Sequence, residues 1–341
     1  MIIKKKILSN EIIKKNKNNI NSKDTHLFLK DLVNKTGISY SYHLSKMDIL
    51  DDGKIFTFNY DIISEYLSFN SLSKLVFFKK IILYFDYVIS NILKKKFSKK
   101  IYLPNNYILV HNRNSKGYFH WVTDTLPKIV YAKNKYKNFT VILPETLNIS
   151  FITSSLKKLK IKTFFLKKGN NYTFKKLIYI GNLYPSGNPR KNIINNMKKQ
   201  LDIKLSNSKR IYISRNKSGR RKIINENDLI KLLKKYNFKT IYSEKISFDK
   251  QIKIFSASKY IIGLHGAGLT NLIWMKQKSF IFEIKPEKDL YLNCYFNLAN
   301  ILNLNYYYCI CKKKNIFKTS KNSNYEVDID QLKKKLDKII K

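Results

Sequence analysis

The sequence predicts an α/β fold made of two Rossmann-like domains. Short apolar runs typical of buried parallel strands recur over residues 107–180 and again over 210–284. Amphipathic stretches of ~10 residues separate these runs, as expected for helices that cover both faces of a parallel sheet. The 341 residues are enough for two ordinary domains. We therefore expect a first domain over 1–205, a second over 206–320, a cleft between them, and a C-terminal helix within 321–341.

The first domain begins with a region whose sequence signals are weak. Residues 1–100 mix short helix and strand patterns with clusters of Asn, Lys and Ser, so we expect an irregular elaboration there. From about residue 101 the pattern is clearly α/β and Rossmann-like. We predict strands over 107–110, 140–143, 162–166 and 177–180, and helices over 118–131 and 193–205.

The second domain alternates more regularly. Strands are predicted over 210–214, 239–242, 259–262 and 279–284, and helices over 225–236, 248–256 and 269–275. Asn225, with Asp228 three residues later, and Ser247 are suitable N-cap residues. The final stretch, 328–341, is amphipathic and predicts the C-terminal helix.

Residues 75–93 form an apolar stretch interrupted by Lys79, Lys80 and Asp86 and followed by a run of lysines. This pattern fits a buried helix with a solvated lysine face, and it also fits a helix that docks on an anionic membrane surface. It is too polar to predict a transmembrane helix. The first residues lack the apolar segment of a signal peptide. We therefore expect a cytoplasmic protein that can be peripheral on the inner face of the plasma membrane.

The charge and cysteine content narrow the choice of partners. The formal net charge is +44, but the excess is mostly lysine spread along the whole chain, as a drift towards A/T-rich codons would produce. We therefore do not expect a specific nucleic-acid ligand, although a basic surface favours an anionic donor, an acidic glycan or an anionic membrane.

Three cysteines are too few for a disulfide framework, and Cys309 and Cys311 are expected in the core.

A glycine-rich turn follows the predicted strand 259–262 and is the main candidate for ligand binding. Such a turn between a strand and a helix exposes backbone amides that suit a phosphate. Glu283, 18 residues after His265, is suitably spaced to reach a ribose hydroxyl. Asn271 stands where a dinucleotide fingerprint would have its third glycine, and a turn used only for packing is the alternative. The candidate donor-binding residues of the turn are His265, Gly266, Ala267, Gly268, Leu269, Thr270 and Asn271.

Three arginines follow the predicted strand 210–214: Arg215, Arg220 and Arg221. A guanidinium can bind phosphate oxygens in a bidentate manner, which an ammonium cannot. Ligands of α/β folds bind at the carboxyl ends of parallel strands. Arg215 and Arg221 are therefore candidate donor-binding residues, with a solvated basic loop as the alternative.

His120 and Asp124 are four residues apart in the predicted helix 118–131 and share one of its faces. Such a pair can remove a proton from a sugar hydroxyl, with one group as the base and the other orienting it. Trp121 offers an apolar surface on the acceptor side. The alternative is a structural His–Asp pair that anchors the helix.

Taken in order, these motifs resemble glycosyltransferase family 61, which includes capsular polysaccharide biosynthesis proteins. The resemblance rests on His120-Trp121-x-x-Asp124-x-Leu126-Pro127, Arg210-Ile-Tyr-Ile-Ser-Arg215, Arg220-Arg221, Asn225-Glu226, Ser247-Phe248-x-x-Gln251, His265-Gly-Ala-Gly-Leu-Thr-Asn271 and Glu283-Ile284. It implies a GT-B fold whose C-terminal helix returns to the first domain. It also implies inverting transfer from a nucleotide-activated sugar, usually a UDP-sugar, without a metal held by an Asp-x-Asp motif and with no other cofactor.

These elements suggest a mechanism. The donor diphosphate would bind the amides of 265–269, Arg215 and Arg221 would neutralise its charge, and Glu283 would hold the ribose. Asp124, or His120 supported by it, would deprotonate a glycan or lipid-linked glycan acceptor. The competing hypotheses are a non-catalytic basic binder of acidic polysaccharide or nucleic acid, and a nucleotide-dependent enzyme of another class such as a dehydrogenase.

Overall fold

The computed structural model describes residues 1–16, 20–67, 77–96, 99–206, 208–289, 292–314 and 322–340. The chain divides into two compact units. The first comprises Met1–Glu11 and Lys35–Leu201, and the second comprises Ile12–Asn34 and Asp202–Lys341. The main boundary therefore falls close to the predicted residue 206.

Strands and helices alternate along most of the described chain. The strands are β1 (Ile2–Leu8), β2 (Ile12–Lys14), β3 (Val33–Lys35), β4 (Ser39–Leu50), β5 (Lys99–Leu109), β6 (Thr140–Pro144), β7 (Thr163–Leu166), β8 (Asn170–Ile180), β9 (Lys209–Ile213), β10 (Lys239–Ile241), β11 (Ser258–Leu264), β12 (Phe280–Pro286), β13 (Asn305–Lys313) and β14 (Tyr325–Glu326). The α-helices are α1 (Leu29–Leu32), α2 (Tyr60–Leu67), α3 (Phe77–Lys96), α4 (Tyr118–His120), α5 (Leu126–Lys135), α6 (Ser150–Lys158), α7 (Lys191–Gln200), α8 (Glu226–Lys235), α9 (Phe248–Ser256), α10 (Cys294–Ile301) and α11 (Ile329–Ile339). A π-helical turn, Trp121–Thr125, joins α4 to α5, and 3-10 helices span Ser22–Leu27, Glu145–Leu147, Ser243–Lys245, Ala267–Trp274 and Glu287–Asp289.

The first unit is built on a six-stranded mixed sheet of order β1-β4-β8-β5-β6-β7. Strands β8, β5, β6 and β7 pair in parallel, whereas β4 and β1 add antiparallel strands at one edge. The prediction that residues 1–100 are irregular is therefore wrong for β1 and β4. Buried serines hide the periodicity of β4, because Ser39 and Ser41 occupy positions where a strand pattern would show apolar side chains.

Residues 12–34 belong to the second unit, although the sequence assigned them to the first domain. Phe28 is fully buried there, and its ring centroid lies 4.9 Å from that of Phe296. Asn293 Nδ2 donates to the Asp31 carboxylate over 2.9 Å. These partners lie more than 250 residues along the chain from residues 12–34, which no local pattern reveals.

The second unit contains a parallel sheet of order β10-β9-β11-β12-β13, with β14 antiparallel at the end. The chain runs outwards from β9 to β10 and then returns to place β11 on the other side of β9. From β11 the chain continues away from β9 to β12 and β13. The connections that leave the neighbouring strands β9 and β11 therefore run in opposite directions along the sheet, and a crevice forms between the carboxyl ends of these two strands. The carboxyl ends of β9 and β11 line this switch point, with Arg215 and the glycine turn just beyond them.

The predicted helix caps are formed at one position and not at the other. The Ser247 side chain accepts a hydrogen bond from the Lys250 amide and caps α9. Asn225 makes no side-chain cap; its amide group instead bonds both the carbonyl and the N–H of Val327. Asn225 therefore ties α8 to the segment before α11.

The C-terminal helix α11 packs within the second unit, which differs from the expected return to the first domain. Leu332, Leu336 and Ile340 join the same buried cluster as Leu229 and Leu233 of α8. Lys335 Nζ donates to the Tyr308 carbonyl of β13 over 2.8 Å. The apolar stripe of α11 thus fits the face formed by α8 and β13.

Helix α3 lies in the segment for which the sequence left two interpretations open. Leu83, Tyr84 and Val88 pack against α2, but the opposite face is exposed and apolar rather than lysine-rich. Residues 81–93 contain no lysine, so the exposed face of this part of α3 is apolar, and both interpretations of the whole segment stay open. Within the described chain, every helix is too short or too polar to span a bilayer.

Candidate functional site

Arg215 and the glycine turn meet at the switch point of the second unit. A Cβ atom built on Gly266 would lie 2.0 Å from Arg215 Nη1, so the guanidinium rests directly on the backbone of the turn. A Cβ on Gly268 would lie 2.9 Å from Ile213 Cγ2 of β9. A side chain at Gly268 would force Ile213 to shift, and one at Gly266 would displace the Arg215 guanidinium. Arg215 and the glycine turn therefore lie against each other.

The turn presents fewer amides than the sequence predicted. The His265 N–H donates to the Ile284 carbonyl, and the Leu269 N–H donates to the Gly266 carbonyl. The helix that follows, Ala267–Trp274, is a 3-10 helix rather than an α-helix. Its leading N–H groups, those of Ala267 and Gly268, have no preceding helical carbonyl and point away from the helix. The available anion site is thus the short Gly266–Gly268 segment beneath Arg215.

Leu269, Thr270 and Asn271 are buried below the turn and do not face a ligand site. Asn271 Nδ2 donates to Gln251 Oε1 and to the Gly268 carbonyl, and Asn271 Oδ1 accepts from Trp274 Nε1. The prediction that Asn271 helps to bind the nucleotide-sugar donor is wrong, because these three hydrogen bonds engage its side-chain amide within the core. Leu269 packs under Gly263.

Arg221 supports the turn from behind. Its Nη1 donates to the His265 carbonyl over 3.0 Å, and its Nη2 pairs with Asp289 Oδ2 over 2.8 Å. The side chain is only 9% exposed. Its charge is already paired with a carboxylate, so the predicted direct neutralisation of a diphosphate is replaced by a positioning role.

Arg215 is the arginine that remains available to a ligand. Its Nε and Nη2 donate to the carbonyls of Arg221 and Arg220, which fixes the plane of the guanidinium. Burial and the nearby Arg221 lower the pKa of Arg215, but a guanidinium stays protonated at neutral pH. A cation that is partly desolvated in this way binds an anion more strongly than a solvated one.

Glu283 is fully buried and orients His265. Its Oε1 accepts from His265 Nδ1, and its Oε2 accepts from the Tyr306 hydroxyl over 2.5 Å. Burial alone would raise the pKa of Glu283, but the charge of Lys285 and the bonds from His265 and Tyr306 hold it below its ordinary value. The predicted contact with a ribose is therefore wrong, since both carboxylate oxygens are committed inside the core. The ionised carboxylate holds the imidazole with Nδ1 turned inwards.

The first unit contains the predicted pair of His120 and Asp124. His120 Nδ1 lies 2.8 Å from Asp124 Oδ2 across the π-helical turn. The His120 side chain is 34% exposed, whereas that of Asp124 is 7% exposed. The imidazole therefore faces solvent and the carboxylate supports it from behind. This geometry favours His120 as the base and Asp124 as the group that orients it.

Two further groups hold Asp124 in place. The Thr123 hydroxyl donates to Oδ1 over 2.8 Å, and the Ser186 hydroxyl donates to Oδ2 over 2.6 Å. Ser186 is not among the residues that the sequence motifs indicated. Its position shortly after the end of the parallel strand β8 was the signal that could have identified it.

Trp121 is a core residue, so the prediction of an acceptor-side contact is wrong. Its ring is fully buried, and its Nε1 donates to the Ser155 hydroxyl of α6 over 2.9 Å. The π-helical turn rotates Trp121 inwards and leaves His120 outside.

A cavity of about 300 Å³ opens beside Asp124 within the first unit. Its polar walls include Glu65, Asn112, Asn182 and Ser186, and Tyr184 adds an aromatic side. Burial raises the pKa of Glu65, which accepts the Asn182 N–H over 2.8 Å. Amide, hydroxyl and carboxyl groups around an aromatic ring suit a polyhydroxylated ligand.

Comparison with known proteins gives one family and one kind of relative. The family named Glycosyltransferase 61 matches residues 118–282, from the start of the helix that carries His120 to Phe282 of β12. The EGF domain-specific O-linked N-acetylglucosamine transferase of Drosophila melanogaster is 34% identical over 98 residues, which is 28% of this chain and 18% of the relative. The protein of the same name from Gallus gallus is 32% identical over 103 residues, covering 28% of this chain and 19% of the relative. The match thus spans about a fifth of these relatives.

Proposed function

Because residues 118–282 match the glycosyltransferase 61 family, we propose that the chain is an inverting glycosyltransferase. It moves a sugar from a nucleotide donor, a UDP-sugar, to a glycan or lipid-linked glycan acceptor. The observation that carries the proposal is the stacking of Arg215 on Gly266 at the switch point of the second unit.

The donor diphosphate binds at that switch point. The Ala267 and Gly268 amides and the Arg215 guanidinium converge on one place, where they stabilise the negative charge that develops on the leaving diphosphate. His265 lies beside this anion site, held by Glu283 and Arg221. The positive charge of Arg215 and the backbone amides take the place of a metal ion, so the transfer proceeds without an added divalent cation.

The acceptor hydroxyl is activated by His120. The imidazole takes the hydroxyl proton while the acceptor oxygen attacks the anomeric carbon, the bond from that carbon to the diphosphate breaks, and UDP leaves with the electron pair. Attack opposite the leaving group inverts the anomeric configuration. Asp124 stabilises the imidazolium that forms.

The biological setting belongs to the same proposal. We assign the transfer to surface or capsular polysaccharide biosynthesis at the cytoplasmic face of the plasma membrane, by an enzyme of the GT-B class. The relatives are named as N-acetylglucosamine transferases, so UDP-N-acetylglucosamine is the first donor to test.

The test begins with a panel of nucleotide sugars, scored by thermal stabilisation and by UDP release. A ligand at 100 times its Kd stabilises the fold by about 2.7 kcal/mol, which gives a readable rise in melting temperature. Stabilisation by a nicotinamide dinucleotide with no response to any nucleotide sugar would contradict the proposal.

The decisive variant is Arg215→Ala. Losing a charge-assisted bond to phosphate costs about 1.5–3 kcal/mol, so we expect UDP affinity to fall about 10- to 100-fold. Lys217→Ala, which removes an exposed cation from the same loop, is the matched control and should leave UDP affinity within twofold. Equal affinities for the two variants would remove Arg215 from the donor site.

A further inference from the structure

Helix α3 carries a continuous apolar stripe on its exposed side. At ~100° per residue, Ile81, Ile82, Phe85, Ile89, Ile92 and Leu93 fall within one sector about 120° wide. Their exposed fractions range from 38% for Ile81 to 66% for Ile82. The stripe runs for ~18 Å along the helix axis. Scattered exposed apolar residues are ordinary, but a contiguous row of this kind marks an interaction surface.

The stripe cannot turn inwards, because the other side of α3 is fastened to the first unit. The buried Tyr87 hydroxyl donates to the Ile55 carbonyl over 2.8 Å, and Asn91 Nδ2 donates to the same carbonyl over 3.4 Å. Val88 packs against the cluster of Ile63 and Tyr66. The helix is therefore held with its apolar stripe facing outwards, and binding requires no folding of the helix.

The charges around α3 indicate which partner fits. Lys99 and Lys100 are exposed just beyond the end of α3, whereas Lys94 is 43% exposed and pairs with Asp52 and Asp51. Asp86, the acidic residue of α3, falls outside the apolar sector. An apolar stripe that ends in exposed lysines complements acyl chains beneath anionic lipid headgroups.

A second copy of the chain fits this surface less well. Pairing two stripes would bring together two chains that each carry a formal net charge of +44. Like-charge juxtaposition opposes association, whereas an anionic bilayer is attracted by the same charges.

We propose that the stripe Ile81–Leu93 of α3 is the surface by which this protein docks on an anionic membrane. The helix lies in the plane of the interface, with its apolar side chains among the upper acyl chains and the neighbouring lysines against the headgroups. Docking at this surface would hold the protein where lipid-linked acceptors are found, and it does not depend on the transfer reaction.

The experiment is co-sedimentation of the full chain with vesicles of phosphatidylglycerol mixed with phosphatidylcholine, and with vesicles of phosphatidylcholine alone. The double variant Phe85→Ser and Ile89→Ser removes the centre of the stripe. The matched control, Leu205→Ser and Ile224→Ser, removes two apolar side chains of similar exposure, 44% and 50%, elsewhere on the chain. We expect the wild type and the control to bind the anionic vesicles at least ~10-fold more tightly than the stripe variant. Melting temperatures establish that all three are folded.

A second variant reports insertion directly. Both natural tryptophans, Trp121 and Trp274, are fully buried, so a new indole in Ile89→Trp is a local probe. Its emission should shift to shorter wavelength on anionic vesicles. Either of two results would overturn the proposal: equal vesicle binding by wild type and stripe variant, or a wild-type dimer in light scattering that the stripe variant converts to a monomer. Neither readout involves a nucleotide sugar, so failure of the proposed transfer would leave them unaffected.

Discussion

At the scale of single residues, each unit holds a histidine against a buried carboxylate. His120 pairs with Asp124 in the first unit, and His265 pairs with Glu283 in the second, in both cases through Nδ1. A carboxylate at Nδ1 fixes the tautomer and turns Nε2 outwards, where it can accept or donate a proton. The difference lies in exposure: the His120 side chain is 34% exposed and that of His265 is 8% exposed. The greater exposure of His120 supports its proposed role as the base that takes the acceptor proton, and the burial of His265 supports a role in shaping the proposed donor site.

The first prediction concerns Asp124→Asn. The amide cannot stabilise an imidazolium and favours the wrong tautomer, so we expect kcat to fall about 10²- to 10⁴-fold. UDP affinity should not change, because Asp124 belongs to the other unit. Ser186→Ala keeps the carboxylate and removes one of its hydrogen bonds, so its loss should be smaller. Initial rates and UDP titrations measure both, and a fully active Asp124→Asn would place the base elsewhere.

The second prediction concerns Lys128, which lies one helical turn after Asp124 and is fully buried. Among the described residues its Nζ has no hydrogen-bond partner. Burial lowers the pKa of Lys128 to about 8, partly opposed by Glu65 and Asp124. At pH values between about 8 and 10.5, the ordinary pKa of lysine, Lys128 is protonated in the unfolded chain and largely neutral in the folded chain. The unfolded chain then binds more protons, so Lys128 makes the free energy of unfolding rise with pH across this range.

Lys128→Met removes that contribution. The unfolding free energy of the variant minus that of the wild type should be largest near pH 7. This difference should fall by an amount on the order of 3 kcal/mol by about pH 10. Urea unfolding at several pH values measures the difference, and the shared titration of the other lysines cancels in the comparison. A difference that does not change with pH would mean that Lys128 is not a buried ammonium.

At the scale of elements, the glycine turn is a close packing of β9, β11 and the 3-10 helix. Gly266 has an extended backbone, so the need for glycine there comes from Arg215 and not from an unusual φ angle. Local patterns predicted these strands well, because β11 contains the apolar run 260–262 and β12 contains the apolar run 280–282. They did not predict the 3-10 geometry, which depends on the hydrogen bonds that Asn271 makes with Gln251 and Trp274.

The third prediction follows from that packing. In Gly266→Ala the new methyl group would displace the Arg215 guanidinium, so UDP affinity should fall at least ~10-fold, as in Arg215→Ala. Gly219→Ala is the matched control, since a Cβ there meets no atom within 4 Å. Isothermal titration with UDP compares the two. Undiminished affinity in Gly266→Ala would show that Arg215 does not need its present position.

At the scale of the whole molecule, the net charge of +44 acts on association rather than on the fold. Arg215 and Arg221 are engaged by backbone carbonyls, so most of the excess charge comes from dispersed lysines. We therefore predict weak DNA binding without sequence preference, falling ~10- to 100-fold between low and physiological salt. UDP affinity should change much less over the same range, because UDP carries far fewer phosphates than a duplex. Fluorescence anisotropy with two unrelated duplexes measures this, and a strong preference for one duplex would contradict it.

The sequence by itself determined the α/β class, the paired His120 and Asp124, and the glycine turn that follows β11. These depend on contacts between residues close in sequence, such as the four-residue spacing of a helix face or the two-residue alternation of a strand. Only the tertiary structure decided which charged groups are already paired, which residues join the second unit, and which face of α3 is left exposed. Glu283 and Arg221 have the right types and spacing for a nucleotide site, but Tyr306 and Asp289 engage them from 23 and 68 residues away. Burial and pairing depend on such distant segments, and periodicity along one segment carries no information about them.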